Sequence, residues 1–241
     1  MSARLEELDW QQTPMGEISL RRRREPTLDV DVYEVKLGDE YLMSSLFTVA
    51  EVELSRLGLR AHPGEGLDVL VGGLGLGYTA VAALEDPRVA ALTVVEALPQ
   101  VVGWHERHLL PVADRLVSDP RTRLVTADFF STVGAGRPLP AEEPDRSYDV
   151  LLVDIDHSPR HVLHLSHAVF YSTAGLRRMR GRLRPGGVFA LWSDDPPDED
   201  FLELLRDGFA SADAHVVEFD NFLTGGTSAN TVYVASTAPT A

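Results

Sequence analysis

The chain has no cysteine among its 241 residues, which excludes a disulfide framework and a thiolate metal site. Long apolar runs are also missing. Runs such as residues 150–153 fall far short of the roughly 20 residues that a membrane helix requires. The N-terminal MSARLEELDW has no apolar stretch of the signal-peptide kind. These absences predict a cytoplasmic protein with no membrane partner. Basic residues are scarce as well: 22 Lys and Arg stand against 37 Asp and Glu, a net charge of −15. Nucleic-acid binding needs a basic stripe that displaces counterions from phosphates. No nucleic-acid partner is therefore expected, and a small cationic partner suits the charge better. The one basic run, Arg21 to Arg24, leads into Val30-Asp31-Val32-Tyr33-Glu34-Val35-Lys36, which alternates as a strand does, so a solvated strand edge or hairpin explains it.

What the chain does contain is an ordinary globular balance, 44% hydrophobic and 24% charged. Its length suits one α/β domain with a small appendage. Segments 16–20 and 30–37 read as two β segments around Pro26, a hairpin ahead of the main domain. Between residues 44 and 59, Leu46, Val49, Ala50, Leu54 and Leu57 recur at helical spacing. Short β-branched strands then alternate with helices: strands at 67–71, 91–95, 124–126, 150–153 and 188–192, helices at 79–84, 99–110 and 170–183. The order helix, strand, strand follows at 201–209, 216–219 and 231–235, and 134–147 is a surface loop. Such alternation predicts a doubly wound, mostly parallel sheet covered on both faces. The expected division is residues 1–43 as the hairpin region and 44–241 as the Rossmann-like domain.

A glycine-rich turn, Gly72-Gly73-Leu74-Gly75-Leu76-Gly77, directly follows the strand at 67–71 and directly precedes a helix. Without side chains at Gly72, Gly73, Gly75 and Gly77 the backbone can approach a ligand, and the helix start offers free N–H groups. Close strand–helix packing would use the same residues. Some two dozen residues later Glu96 ends the next strand, the spacing at which a carboxylate accepts from ribose hydroxyls. Asp128, followed by Phe129, ends the third strand, either accepting from an adenine amino group beside an aromatic ring or capping a turn. Asp154 and Asp156 follow the fourth strand, at the edge where open α/β sheets bind ligands, and suggest a place for a cation.

With these residues in order, the chain resembles the polyamine aminopropyltransferase family, typified by spermidine synthase, on the class I methyltransferase-type Rossmann-like fold. The resemblance runs from Thr13 to Trp192. It rests on the glycine turn, Val95-Glu96, Ala127-Asp128-Phe129, Tyr148 to Asp154, Phe170-Tyr171 and Leu183-Arg184-Pro185-Gly186-Gly187. It implies that Glu96 holds a ribose, Asp128 an adenine, and Asp154 or Asp156 the reacting amine. The implied cofactor is decarboxylated S-adenosylmethionine, or S-adenosylmethionine itself, and the implied assembly is a homodimer. Three positions depart from the family: Gly75 replaces an aspartate that handles the aminopropyl end, His157 replaces the second aspartate of the strand-four loop, and residues 37–43 lack a glutamine. Two rivals therefore stand beside aminopropyl transfer: an S-adenosylmethionine-dependent methyltransferase, and a non-catalytic nucleoside-binding homologue.

Alkyl transfer to an amine needs the neutral base. With an amine pKa of about 10.4, only about one molecule in 2,500 is neutral at pH 7, a cost of roughly 4.6 kcal/mol. A carboxylate at Asp154 or Asp156 can position the ammonium and accept its proton or pass it to water, His157 could play the same part, and Asp156 and His157 are equal candidates as the base. Asp194 and Asp195, after the strand at 188–192, either bind the distal end of a polyamine or complement a helix N-terminus. Tyr171 and Trp192 either line the pocket or pack in the core. His157, His161, His164 and His167 would share one face of a helix starting near Pro159, an arrangement able to bind a transition metal; no metal is expected, because side chains along a cleft explain the spacing. Trp104 is expected in the core, with His105 and His108 at the surface.

Overall fold

A computed structural model describes residues 5–239. The N-terminal region is larger than a hairpin: β1 (Leu5–Thr13), β2 (Gly16–Glu25), β3 (Val30–Leu37) and β4 (Glu40–Ser44) form a four-stranded antiparallel sheet in that order. β1 was missed because LEELDWQQT carries few β-branched residues; its place is set by pairing instead. The register puts Glu6 opposite Arg22 and Glu7 opposite Arg21, with ion pairs at 2.5 and 3.6 Å. The arginine run therefore lies on an inner strand, not an edge. Arg23 pairs with Glu25 and Glu34, and Arg24 with Asp29 and Asp31. Every cation of the run is answered by a local carboxylate, which removes the basis for a phosphate-binding stripe. Nearer the start of β2 the same sheet is apolar, and Ile18, Leu20 and Val35 join the main core fully buried.

The main sheet has seven strands in the order β10-β11-β9-β8-β5-β6-β7. These are β5 (Leu67–Gly72), β6 (Val89–Glu96), β7 (Thr122–Thr126), β8 (Tyr148–Val153), β9 (Leu183–Ser193), β10 (Ser211–Asn221) and β11 (Gly226–Ser236). Only β11 runs antiparallel to its neighbours. On one face pack α1 (Val49–Ala61), α2 (Tyr78–Leu84), α3 (Pro99–Glu106) and α4 (Ala113–Val117); on the other pack α5 (Phe129–Gly134), α6 (Thr173–Arg180) and α7 (Glu199–Gly208). Cover on both faces explains the unbroken apolar run of β8, where Val150, Leu151, Leu152 and Val153 are all 0% exposed. Each such side chain contributes about 1.5–3 kcal/mol relative to exposure.

The helix boundaries differ from the expected ones for local reasons. α6 starts at Thr173 rather than 170 because the Ser172 hydroxyl caps it, accepting from Gly175 N, while Phe170 and Tyr171 turn into the core. The short helices α4 and α5 are too brief for a periodic signal to reveal. After β7 the chain returns to the other side of β5 to make β8. Connections thus leave β5 and β8 in opposite directions, and a crevice opens beyond their carboxyl ends. Among the described residues, no helix is long and apolar enough to cross a membrane.

Candidate active site

The glycine turn leaves β5 inside this crevice. Gly73 has φ +95°, and a Cβ there would lie 2.0 Å from the Asp154 carbonyl oxygen, so no other residue fits between β5 and β8. At Gly75, φ +48°, a Cβ would stand 2.9 Å from Met43 Sδ; a thioether from β4 fills the space beside the turn. Gly72 packs on the Phe129 ring, and Gly77 caps α2 against His105. The turn therefore serves both readings, tight packing below and an open backbone above. His105 is fully buried behind it, contrary to the expected surface position, with Nε2 2.9 Å from the Gly75 carbonyl oxygen. Burial lowers its pKa, so the ring is neutral and Nε2–H donates. Trp104 is fully buried as expected, its indole N–H donating to Asp9 over 2.6 Å.

Glu96, at the end of β6, points into the turn. Its Oε2 accepts from Leu74 N at 3.0 Å and its Oε1 from Leu98 N at 2.9 Å. Burial raises its pKa against the lowering effect of these bonds. The backbone N–H groups of Gly75 and Ala97 add to that lowering, so any hydroxyl donor shares the carboxylate's acceptor sites with the backbone. Asp128 caps α5, its Oδ1 accepting from Ser131 N at 2.9 Å, while its residue also lines the crevice. Phe129 is 2% exposed and contacts Phe130 and Phe170 edge-on, so it is a wall and core residue at once. These groups enclose a cavity of about 300 Å³ with mostly apolar walls, among them Ile18, Val35, Leu98 and Val101. Apolar walls with two carboxylates as hydroxyl and amino acceptors suit a nucleoside.

A second cavity, of about 510 Å³, shares Leu42, Met43, Gly75, Asp154 and Ile155 with the first. Its walls are aromatic, with Phe47, Tyr78, Trp192 and Phe219, and three carboxylates converge on it: Glu51, Asp154 and Asp194. Asp154 Oδ2 accepts from the Thr79 hydroxyl at 2.5 Å, yet burial raises its pKa above the ordinary range. Asp194 Oδ1 accepts from Asn230 Nδ2 at 2.7 Å. Burial, then the charges of Asp154 and Asp194, push Glu51 up as well. His157 stands at the rim, with Nε2 3.3 Å from a Glu40 carboxylate oxygen. No Lys or Arg lines either cavity.

Several expected site residues lie elsewhere. Asp156 is 2% exposed and lines neither cavity: Oδ1 accepts from Leu163 N and His167 Nδ1, which lie on the wall of the first, and Oδ2 from the Tyr171 hydroxyl at 2.8 Å. β8 has ended at Val153, so strand alternation no longer keeps Asp156 beside Asp154. Tyr171 is buried in an aromatic cluster with Phe130, Phe170 and Phe201. Asp195 points to a separate surface depression, where Ser158 and His161 hold its carboxyl below the usual range. The histidines do not share a helix face, because the chain from Pro159 is irregular until a 3-10 turn at Leu165–Val169. His161 pairs with Asp195, His164 with Ser166 and His167 with Asp156.

Glu51 is the residue that sequence reasoning missed. It lies three residues before Leu54 and seven before Gly58, on the stripe of α1 that faces the sheet. A carboxylate on that stripe was the available signal.

No family model matches the chain. A polyamine aminopropyltransferase of Prochlorococcus marinus (strain MIT 9313) is 33% identical over 150 residues, 60% of this chain and 48% of that protein. The chain thus matches about half the length of this relative. Among solved structures, a spermidine synthase in complex with the transition-state analogue AdoDATO superposes with a TM-score of 0.72 at 17% identity, over 97% of this chain and 74% of that one. Human methyltransferase-like protein 13 in complex with SAH gives 0.53 at 20% identity, over 79% and 78%. The fold is accordingly that of spermidine synthases and methyltransferases, as the resemblance implied.

Proposed function

We propose that the protein is an aminopropyltransferase that moves an alkyl group from decarboxylated S-adenosylmethionine to a small amine, as a cytoplasmic homodimer. One observation carries the choice of cofactor: the two cavities meet at Asp154, and among the described residues neither is lined by a Lys or Arg. The carboxylate of intact S-adenosylmethionine would face Glu51, Asp154 and Asp194 with no Lys or Arg to balance it. A like-charge contact of this kind opposes binding, whereas an aminopropyl ammonium is attracted. The relative's name and the AdoDATO complex support the same reading.

The residues divide the work. Glu96 accepts from ribose hydroxyls while bracing Leu74 N and Leu98 N, and Asp128 accepts from the base. The cofactor's sulfonium, when bound, supplies an electrophilic carbon. Asp154, held by Thr79, orients the acceptor's ammonium at the shared wall, and Asp194 gathers the remaining positive charge. The aromatic walls favour an organic cation through their ring faces and keep water out.

Met43 in contact with the Gly75 position gives the methyltransferase reading its one support, a neutral wall beside the turn. Calorimetry separates the two. Decarboxylated S-adenosylmethionine is expected to bind at least about tenfold more tightly than S-adenosylmethionine, a difference of about 1.4 kcal/mol. Product formation from diamines is read by mass spectrometry. Tighter binding of the carboxylated cofactor, or transfer of methyl only, would overturn the proposal.

A further inference from the structure

We infer that Glu51 receives the proton of the acceptor ammonium, a role that rests on the transfer reaction proposed above. Among the described residues four carboxyl and imidazole side chains stand on the second cavity, and three are engaged. Asp154 accepts from Thr79, Asp194 from Asn230, and His157 lies at the rim beside Glu40. Among the described residues, no neighbour donates to the Glu51 carboxylate, which faces the same cavity from the first turn of α1. Its position is rigid. Ala50 and Leu54 on either side are buried, and the Thr79 hydroxyl that holds Asp154 also lies 3.4 Å from the Glu51 carbonyl oxygen. α1, α2 and the end of β8 are thereby tied at one point.

The groups facing Glu51 are Asp154 from β8, Asp194 from the end of β9, and Tyr78 and Thr79 from α2; none is a cation. Burial and these neighbours raise its proton affinity toward the working pH, where a general base exchanges protons most effectively. In the step, an ammonium N–H proton passes to a Glu51 carboxylate oxygen. The freed nitrogen lone pair forms a bond to the carbon attached to sulfur, and that C–S bond breaks with its electron pair left on sulfur. A neutral thioether and a protonated secondary amine result. Glu51 then returns its proton to water through the open end of the cavity.

Two measurements test this. With saturating cofactor and diamine, Glu51→Gln is expected to lower kcat by about 100-fold or more, to abolish the acidic limb of the kcat profile, and to leave 5′-methylthioadenosine affinity within about threefold. Glu51→Asp should restore part of kcat. Retention of wild-type kcat in Glu51→Gln, or loss of nucleoside affinity in parallel with activity, would overturn the assignment. The second readout needs no turnover: carbon-13 NMR of glutamate-labelled protein, with Glu51→Gln to identify the signal. A carboxyl that titrates well above the ordinary range, and whose titration moves to lower pH when 1,3-diaminopropane is added, supports the role. A Glu51 carboxyl that ionises in the ordinary range and ignores the amine overturns it, even in a protein shown to transfer aminopropyl groups. Conversely, a responsive Glu51 in a protein inactive toward every amine would count against the transfer reaction alone.

Discussion

The two halves of the crevice are built in different ways. The nucleoside half takes Glu96 and Asp128 from the ends of β6 and β7 and closes them against apolar residues of the N-terminal sheet. Its carboxylates are braced by backbone N–H groups, so their positions follow from local chain geometry. The amine half collects Glu51 from α1, Asp154 from β8, Asp194 from the end of β9, and Phe219 and Asn230 from the β10–β11 pair. Asp154 and Asp194 are close enough to raise the proton affinity of Glu51 beyond what burial does. A braced carboxylate suits a neutral ligand rich in hydroxyls; clustered carboxylates wait for a cation.

The largest effect that separates the halves is expected at Glu96. On the proposed reading Glu96→Ala would remove two charge-assisted hydrogen bonds to ribose, each about 1.5–3 kcal/mol, and should weaken 5′-methylthioadenosine binding by roughly 100-fold or more in calorimetry. Thermal melting alongside it would separate lost binding from the loss of the Leu74 and Leu98 brace. An unchanged affinity would erase the distinction between the halves.

A smaller effect, on stability alone, is expected at Asp156. Asp156→Ala strands the Tyr171 hydroxyl, His167 Nδ1 and Leu163 N in the interior. It should cost about 2–4 kcal/mol in denaturant unfolding while changing nucleoside affinity by less than about threefold. Comparable losses in both would return Asp156 to the site.

The smallest effect concerns pH. The native Asp154 carboxyl binds its proton more tightly than the unfolded one. The folded state therefore holds more protons as pH rises from the ordinary carboxylate range through the raised native value, and stability falls across that window. Asp154→Asn removes this loss. Between about pH 4 and 7 the wild-type unfolding free energy should decline more than the variant's, by an amount on the order of 2 kcal/mol in denaturant unfolding. Parallel declines would show that Asp154 is not held against ionisation.

The strand order of residues, the glycine turn and Glu96 were legible in the sequence because each depends on near neighbours: apolar runs, turn residues, and spacing along one βαβ unit. Asp154 was legible for the same reason, at a strand end. Asp156 lies three residues beyond the end of β8, where strand geometry no longer fixes its side, and its carboxyl is taken up by Leu163, His167 and Tyr171. His105 was misread because its neighbours on a short helix gave no hint that Gly77 leaves room for a ring. Glu51 was overlooked because its meaning depends on Asp154 and Asp194, which lie 103 and 143 residues away.

The sequence by itself determined an α/β chain whose strands end in carboxylates around a glycine turn. Local spacing and burial preference act over a few residues and need no folded context. Only the tertiary structure decided which of those acids meet. Charges couple through space, across a low-dielectric cavity, and the distances that matter there are set by how α1, β8, β9 and the terminal strands pack rather than by their order in the chain.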